Sequence, residues 1–202
     1  PIDGEKPIIY RKRRLVMFGE YIPFEKMLPF MKYLSPIGGS FSSGKRPVQF
    51  PLVGNKSKMA PIICFEDSFP HGVREHVLPE TDLLVNLTND GWFGKGPAQW
   101  QHAANAVFRT IENGVPMVRS CNNGLSCWID SFGKVRRFFG EESGDIYGAG
   151  FVIFEIPILQ PHNSTFYNKY GDIFGWFCLV LSSVVVVMSF VKRRLHMEDE
   201  IR

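Results

Sequence analysis

Apolar positions fall into short runs closed by turn residues, plus one long run near the C-terminus. The short runs predict strands at about 61–64, 82–87, 115–120, 125–130 and 150–156. Between them, apolar spacing and turn signals predict helices over 70–78, through Val73, Val77 and Leu78, and over 98–113. Strands alternating with helices make a layered α/β domain. The first of these strands closes in the sequence PIICFEDSFP, residues 61–70, so Cys64 stands at a strand end. At such ends α/β folds expose side chains to a crevice instead of burying them.

The long run, residues 173–191 (IFGWFCLVLSSVVVVMSFV), carries no charge over nineteen positions. That length crosses a bilayer core. A buried core helix of this size would carry a polar stripe, and here only Ser182, Ser183 and Ser189 interrupt the apolar surface. The run therefore predicts a transmembrane helix. Lys192, Arg193 and Arg194 follow it, whereas the flank over 155–172 holds Lys169 as its only lysine or arginine. By the positive-inside rule the tail, 192–202, is cytoplasmic and residues 1–172 lie on the outer side. The sequence opens on Pro1 with no initiator methionine or signal peptide, so the expectation is a fragment with its export signal or earlier spans upstream.

With 202 residues, 45% of them hydrophobic, and a net charge of +3, the chain can bury a core and is not a disordered tail. Its 14 prolines and 19 glycines follow no period, which fits a loop-rich domain and excludes a low-complexity segment. The four cysteines, Cys64, Cys121, Cys127 and Cys178, show neither CxxC spacing nor nearby histidines, which argues against a structural zinc. Cys121 and Cys127 read either as a disulfide or as small buried hydrophobes, burial being the common state of free cysteine.

A cysteine nucleophile acts as its thiolate, which nearby cations favour. The chain offers one cationic cluster, YRKRRLVMFGEYIPF at residues 10–24. Four consecutive cations taken alone read as a solvated face or an anion patch. Glu20, however, closes an apolar run, and an acid placed there is partly buried and needs a partner. In NLTNDGWFGKG, residues 86–96, Trp92 and Phe93 sit between glycines, either as a loop over a site or as a plug of the core. Phe24, Met27, Leu28 and Met31 recur at i, i+3, i+4 and i+7, with Phe30, Leu34, Lys26 and Lys32 close by. That stripe reads as an interfacial amphipathic arm or as a face packed on the domain's own core.

The segments YRKRRLVMFGEYIPF, IICFED, LLVNLTNDGWFGKGPAQWQH, FRTIENGVPMVRSCNNGLS and TFYNKYGD, in that order, resemble the C-terminal half of bacterial apolipoprotein N-acyltransferases, membrane-embedded members of the nitrilase superfamily. The resemblance covers nearly the whole chain. It implies a partial nitrilase-like αββα sandwich on the outer face of the inner membrane, followed by one C-terminal transmembrane helix. Position by position, it makes Cys64 the nucleophile, Lys12 the catalytic lysine and Glu20 the glutamate that supports it. Phe65 takes the place beside the nucleophile whose backbone N–H helps bind an oxyanion, Glu66 is the acid just beyond, and Trp92 and Phe93 match aromatics associated with the lipid site. Departures are Met17 where a proline is common and SCNNGLSC where the family usually has TNTGISA-like sequence.

The chemistry implied is transfer of an acyl chain from a membrane phospholipid, through a Cys64 thioester, to the α-amine of a diacylglyceryl-cysteine on an apolipoprotein, with no metal or organic cofactor. In the family a general-base glutamate lies on an early strand upstream of the lysine motif. Here the only earlier acids are Asp3 and Glu5, in a stretch that reads as loop, and Glu112 reads as structural. The expectation is therefore a chain lacking its base. Two other classes share these residues: a membrane-anchored nitrilase-type amidase using water, and a non-catalytic lipid-binding membrane protein. Nucleic-acid binding fits poorly, since the basic run is short and faces away from the cytoplasm.

Overall fold

The computed structural model describes residues 7–34, 37–52, 57–158 and 164–200, the side chains of residues 34 and 195–200 excepted. Asp3, Glu5 and the Leu34 side chain lie outside the described residues. The chain divides into two units, Pro1–Asn168 and Lys169–Arg202.

The first unit is organised by one mixed sheet whose strands lie side by side in chain order: β1 (Phe50–Pro51), β2 (Lys58–Ile63), β3 (Thr81–Thr88), β4 (Met117–Cys121), β5 (Cys127–Ile129) and β6 (Val135–Phe138). The central three, β2, β3 and β4, run parallel, and the rest pair antiparallel. Parallel neighbours need long crossovers. Helix α1 (Pro70–His76) lies between β2 and β3, and helix α2 (Ala98–Asn113) between β3 and β4. Pro70 fits the first turn of α1, where its missing N–H costs no bond. Gly114 ends α2 in the left-handed region, φ 69°, its N–H returning to the Thr110 carbonyl at 2.8 Å.

Register explains how the sheet serves a site. Ala60, Leu84, Met117 and Ile129 stand opposite one another across four strands, all fully buried. They pack against Val73 of α1, Val77 at its C-terminal end, and Ala103 and Ala106 of α2 in one core. Burying each of the three larger side chains stabilises the fold by roughly 1.5–3 kcal/mol. Two residues further along β2, β3 and β4, on the same face, the row reads Ile62, Asn86, Arg119 and Cys127. The helix-covered face thus changes from apolar to polar toward the C-terminal ends of the parallel strands, the side on which α/β sheets build their sites.

Most expected elements form, and one does not. Residues 150–156 are extended but belong to no strand, and Phe151 is 85% exposed. Alternating apolar residues make a strand only where an edge accepts their hydrogen bonds, and no described strand pairs with this segment. The stripe over 24–34 is a pair of short turns, the second a 3₁₀ helix at Pro29–Leu34, and Phe24, Met27 and Phe30 are exposed. It is an arm and not a face packed on the core.

In the second unit, a short helix α3 (Phe166–Tyr170) precedes helix α4 (Ile173–Glu200). Within Ile173–Arg194 the mean hydropathy of an eighteen-residue stretch reaches 2.3 and none of its residues is buried, so the helix is long and apolar enough to cross a membrane. Ser183 and Ser189 donate back to the Leu179 and Val185 carbonyls at 2.8 and 2.9 Å, which leaves no donor of these two hydroxyls facing apolar surroundings.

Candidate active site

Strand β2 ends at Ile63 and the chain turns at once through a 3₁₀ helix, Cys64–Ser68. Cys64 adopts φ 54°, a left-handed conformation that costs a non-glycine residue about 1 kcal/mol. The turn is held from two sides. Asn86 donates its amide to the Cys64 carbonyl at 3.3 Å and to Asp67 Oδ2 at 2.7 Å. Glu66, buried beneath the turn, accepts four hydrogen bonds: from the Ile63 N–H (2.8 Å), the Tyr10 hydroxyl (2.8 Å), and the N–H groups of Arg13 (2.7 Å) and Arg14 (3.1 Å). One carboxylate therefore pins the segment carrying Lys12 against the turn carrying Cys64.

The four cations of that segment part ways. Arg13 pairs with Glu75, and Arg14 lies over the Phe69 ring, 5.6 Å from its centroid. Lys12 alone turns inward: Nζ donates to Glu20 Oε1 at 2.7 Å and sits 5.1 Å from the centroid of the Phe65 ring. The other Glu20 oxygen accepts the Val16 N–H at 2.8 Å, so Glu20 has the partner that its place after an apolar run demanded.

Cys64, Phe65 and Glu20 open onto a cavity of about 730 Å³. Leu87, Trp92, Phe93, Phe41, Val16 and Ile63 make most of its wall. Lys12 reaches this wall through Glu20 and Phe65. Trp92 and Phe93 are 74% and 50% exposed, which rules out the core-plug reading. They stand on a 3₁₀ turn, Asp90–Phe93, started by Asn89, whose side chain accepts the Gly91 N–H at 3.2 Å.

Behind the wall lies a cluster that the sequence reasoning missed. His102 bonds through Nε2 to Asp67 Oδ1 at 3.0 Å and through Nδ1 to Asp90 Oδ1 at 2.8 Å, and Arg119 Nη2 donates to Asp90 Oδ2 at 2.8 Å. Asp67, Asp90 and Arg119 are wholly buried. Burial alone works against a charged His102 ring, but its bonds to the two carboxylates prevail and raise its pKa to about 9. Both ring nitrogens then donate, so Arg119, also 2.8 Å from Nδ1, makes its hydrogen bond to Asp90. Asp90 is held below its ordinary value: burial opposes this, and the His102 and Arg119 contacts outweigh it. The signal was present in the sequence, since an arginine inside the apolar strand MVRSC requires a buried acid.

Other titrating groups mark what is not the site. His76, beside Tyr10, is lowered to about 4 by burial. Cys121 and Cys127 are free thiols, not a disulfide, and burial pushes both up to about 12. Among the described residues no three histidine, cysteine or acidic side chains converge as metal ligands.

A profile of the carbon–nitrogen hydrolases matches residues 2–152, which takes in the cysteine turn, the lysine segment and the aromatic turn together. The chain belongs to the carbon–nitrogen hydrolase family. Within that family it is 37% identical over 185 residues to the apolipoprotein N-acyltransferase of Geobacter metallireducens, covering 92% of this chain and 34% of that protein. It is 30% identical over 197 residues to apolipoprotein N-acyltransferase 1 of Treponema denticola, covering 95% of this chain and 35% of the relative. The chain thus spans about a third of the length of these curated relatives. Among solved structures, a Nesterenkonia amidase from the nitrilase superfamily superimposes with a TM-score of 0.46 at 17% identity, over 64% of this chain and 45% of that one.

Proposed function

We propose that this chain is the C-terminal portion of an apolipoprotein N-acyltransferase, with residues 1–172 as its outward-facing catalytic part, 173–191 as a span of the bacterial inner membrane and 192–202 on the cytoplasmic side. The observation that carries the reading is the convergence of a left-handed cysteine, a half-buried lysine–glutamate pair and an apolar cavity walled by Trp92 and Phe93. An apolar cavity beside a thiol suits an acyl chain better than a small polar amide. The exposed arm over 24–33 and helix α4 give such an enzyme two points of contact with lipid.

In this mechanism the Cys64 sulfur attacks the ester carbonyl of a phospholipid, forming a C–S bond and a tetrahedral oxyanion. Lys12 and the Phe65 N–H stabilise that oxyanion, and Glu20 holds Lys12 in place. Collapse expels the lysophospholipid oxygen, which takes a proton, and leaves a thioester. The α-amine of a diacylglyceryl-cysteine then attacks the thioester, an amide forms, the amine proton departs and Cys64 is released. Glu20 is committed to Lys12 and Glu66 to four hydrogen bonds. The base that first removes the Cys64 proton therefore comes from residues other than these two acids, and the greater length of the relatives makes room for it.

Incubating the full-length protein in detergent with phospholipid, then with a diacylglyceryl lipopeptide, tests the reading by mass spectrometry. The expected products are an acyl group on Cys64 followed by N-acylated lipopeptide. Free fatty acid without acylated peptide would make the protein a hydrolase, and no acyl-enzyme at all would make it a lipid-binding protein. Robust Cys64-dependent activity of residues 1–202 alone would show that the base lies within them.

A further inference from the structure

The cavity wall comes from two stretches of chain, 63–65 at the nucleophile and 87–93 at the aromatic turn. Their strands pair only as far as Ile63 with Leu87, and beyond that point each turn leaves the sheet on its own course. One side chain spans the two. His102, projecting from α2, bonds through Nε2 to Asp67 in the turn that carries Cys64 and through Nδ1 to Asp90 at the head of the turn that carries Trp92 and Phe93. Its ring stands edge-on to Phe93, with centroids 5.9 Å apart.

Each carboxylate is fastened in turn to its own side of the cavity. Asp67 shares the Asn86 amide with the Cys64 carbonyl. Asp90 takes the Thr88 hydroxyl at 2.9 Å as well as Arg119. On this face of α2, Ala103 and Ala106 suffice to fill the core, so packing alone does not call for a histidine between two acids. Buried charges of this kind add little to stability over apolar packing, whereas the geometry they fix is specific.

We infer that His102 is a positioning residue: a strut that sets the aromatic turn against the nucleophile turn, so that an acyl chain lying along Phe93 and Leu87 presents its carbonyl to the Cys64 sulfur. The inference rests on the acyltransferase reading for the identity of the ligand, but not for the strut itself. His102 does not touch the reacting atoms. It acts through Asp67 on one side and through Asp90 and Phe93 on the other.

The test uses the full-length protein in detergent and two maleimides with the same reactive head, N-ethyl and N-hexadecyl, with modification of Cys64 followed by mass spectrometry. In the unaltered protein the long chain should fill the cavity and speed its own reaction. His102→Gln, which replaces two nitrogens on opposite sides of a ring by the donors of a single amide nitrogen, should keep the N-ethylmaleimide rate within about twofold and reduce the long-chain preference about tenfold. Phe93→Leu, which leaves the buried cluster intact, should reduce that preference about threefold, and the double variant should be no worse than His102→Gln alone, because both act at one link.

An unchanged preference in His102→Gln, or effects that simply add, would overturn the inference. Should His102→Gln expose Cys121 and Cys127 by unfolding, Phe93→Leu decides, and an unchanged preference there overturns it too. No acyl donor or acceptor takes part, so a chain preference that depends on His102 in a protein without acyl transfer would count against the proposed function only. Acyl transfer with a preference indifferent to His102 would count against the strut only.

Discussion

Two ionic arrangements flank Cys64, and they differ in what they face. Lys12 and Glu20 form a single pair whose carboxylate opens onto the cavity. Asp67, His102, Asp90 and Arg119 form a closed cluster behind the cavity wall, reaching it only through the turns they hold. A charge at the wall can meet charge that develops during a reaction. A charge sealed behind it can only fix where the wall stands. Comparing the two teaches that role follows from exposure to the cavity, since both arrangements are built from the same kinds of group.

The largest effect should come at the point both arrangements serve. Cys64→Ala should abolish acyl-enzyme formation, a fall on the order of 10⁶-fold as for loss of other covalent nucleophiles. Cys121→Ser and Cys127→Ala should leave acylation largely intact, because those thiols are held protonated by burial. An acyl group found by mass spectrometry on either of them would remove Cys64 from the centre of the comparison.

Next comes the pair in which Glu20 faces the cavity and Lys12 stands behind it. Lys12→Ala should cost roughly 10²–10³-fold in acyl transfer, as loss of one oxyanion donor does elsewhere, and Lys12→Arg should not restore it. Arg13→Gln should be nearly silent, because Glu66 is met by the Arg13 backbone and the side chain engages only an exposed acid. Equal losses at Arg11, Lys12 and Arg13 would show an electrostatic patch and erase the distinction between wall and surface.

Smaller effects sharpen it. Trp92→Ala or Phe93→Ala should lower turnover about tenfold with little change in melting temperature, since both side chains are half-exposed or more and line the cavity. A large drop in melting temperature with unchanged activity per folded molecule would return them to the core.

The weakest expected signal is a pH dependence of stability. His102 titrates near 9 when folded and near 6.5 when unfolded, so its contribution is fully present below pH 6.5 and disappears as pH rises through about 9. The groups facing it are Asp67, Asp90, Arg119 and the Phe93 ring. Melting temperatures between pH 6 and 9.5 should fall more in the unaltered protein than in His102→Gln, and parallel curves would show that the cluster does not titrate there.

Sequence and structure agree where local pattern and packing ask for the same thing. Helix α2 runs over the expected residues because its alanines repeat at helical spacing and Gly114 stops it. Strand β3 is a buried apolar run with turn residues after it, as predicted. Resemblance, and the oddity of an acid after LVMFG, point to Cys64, Phe65, Glu20, Trp92 and Phe93, and all five line one cavity. What escaped was whatever depends on a distant partner. Residues 150–156 alternate like a strand but have no edge to join. Strand β6 (VRRF) is too charged to stand out alone and forms because Phe138, Arg137 and Val135 find β5. The His102 cluster draws its members from a turn, a second turn, a helix and a strand, so no window of sequence holds it.

Glu66 also bears on the order in which this protein must assemble. Its carboxylate bonds to backbone 53 residues earlier in the chain, and that stretch brings in Lys12. Closing so long a loop is entropically costly until the turn after β2 exists to receive it. The parallel strands and their crossovers must therefore settle first, and the lysine arrives last. A chain that has formed its cysteine turn but not yet captured the Tyr10–Arg14 segment holds Cys64 without Lys12 beside it. On the proposed function, such an immature chain would not begin acyl transfer until folding is finished.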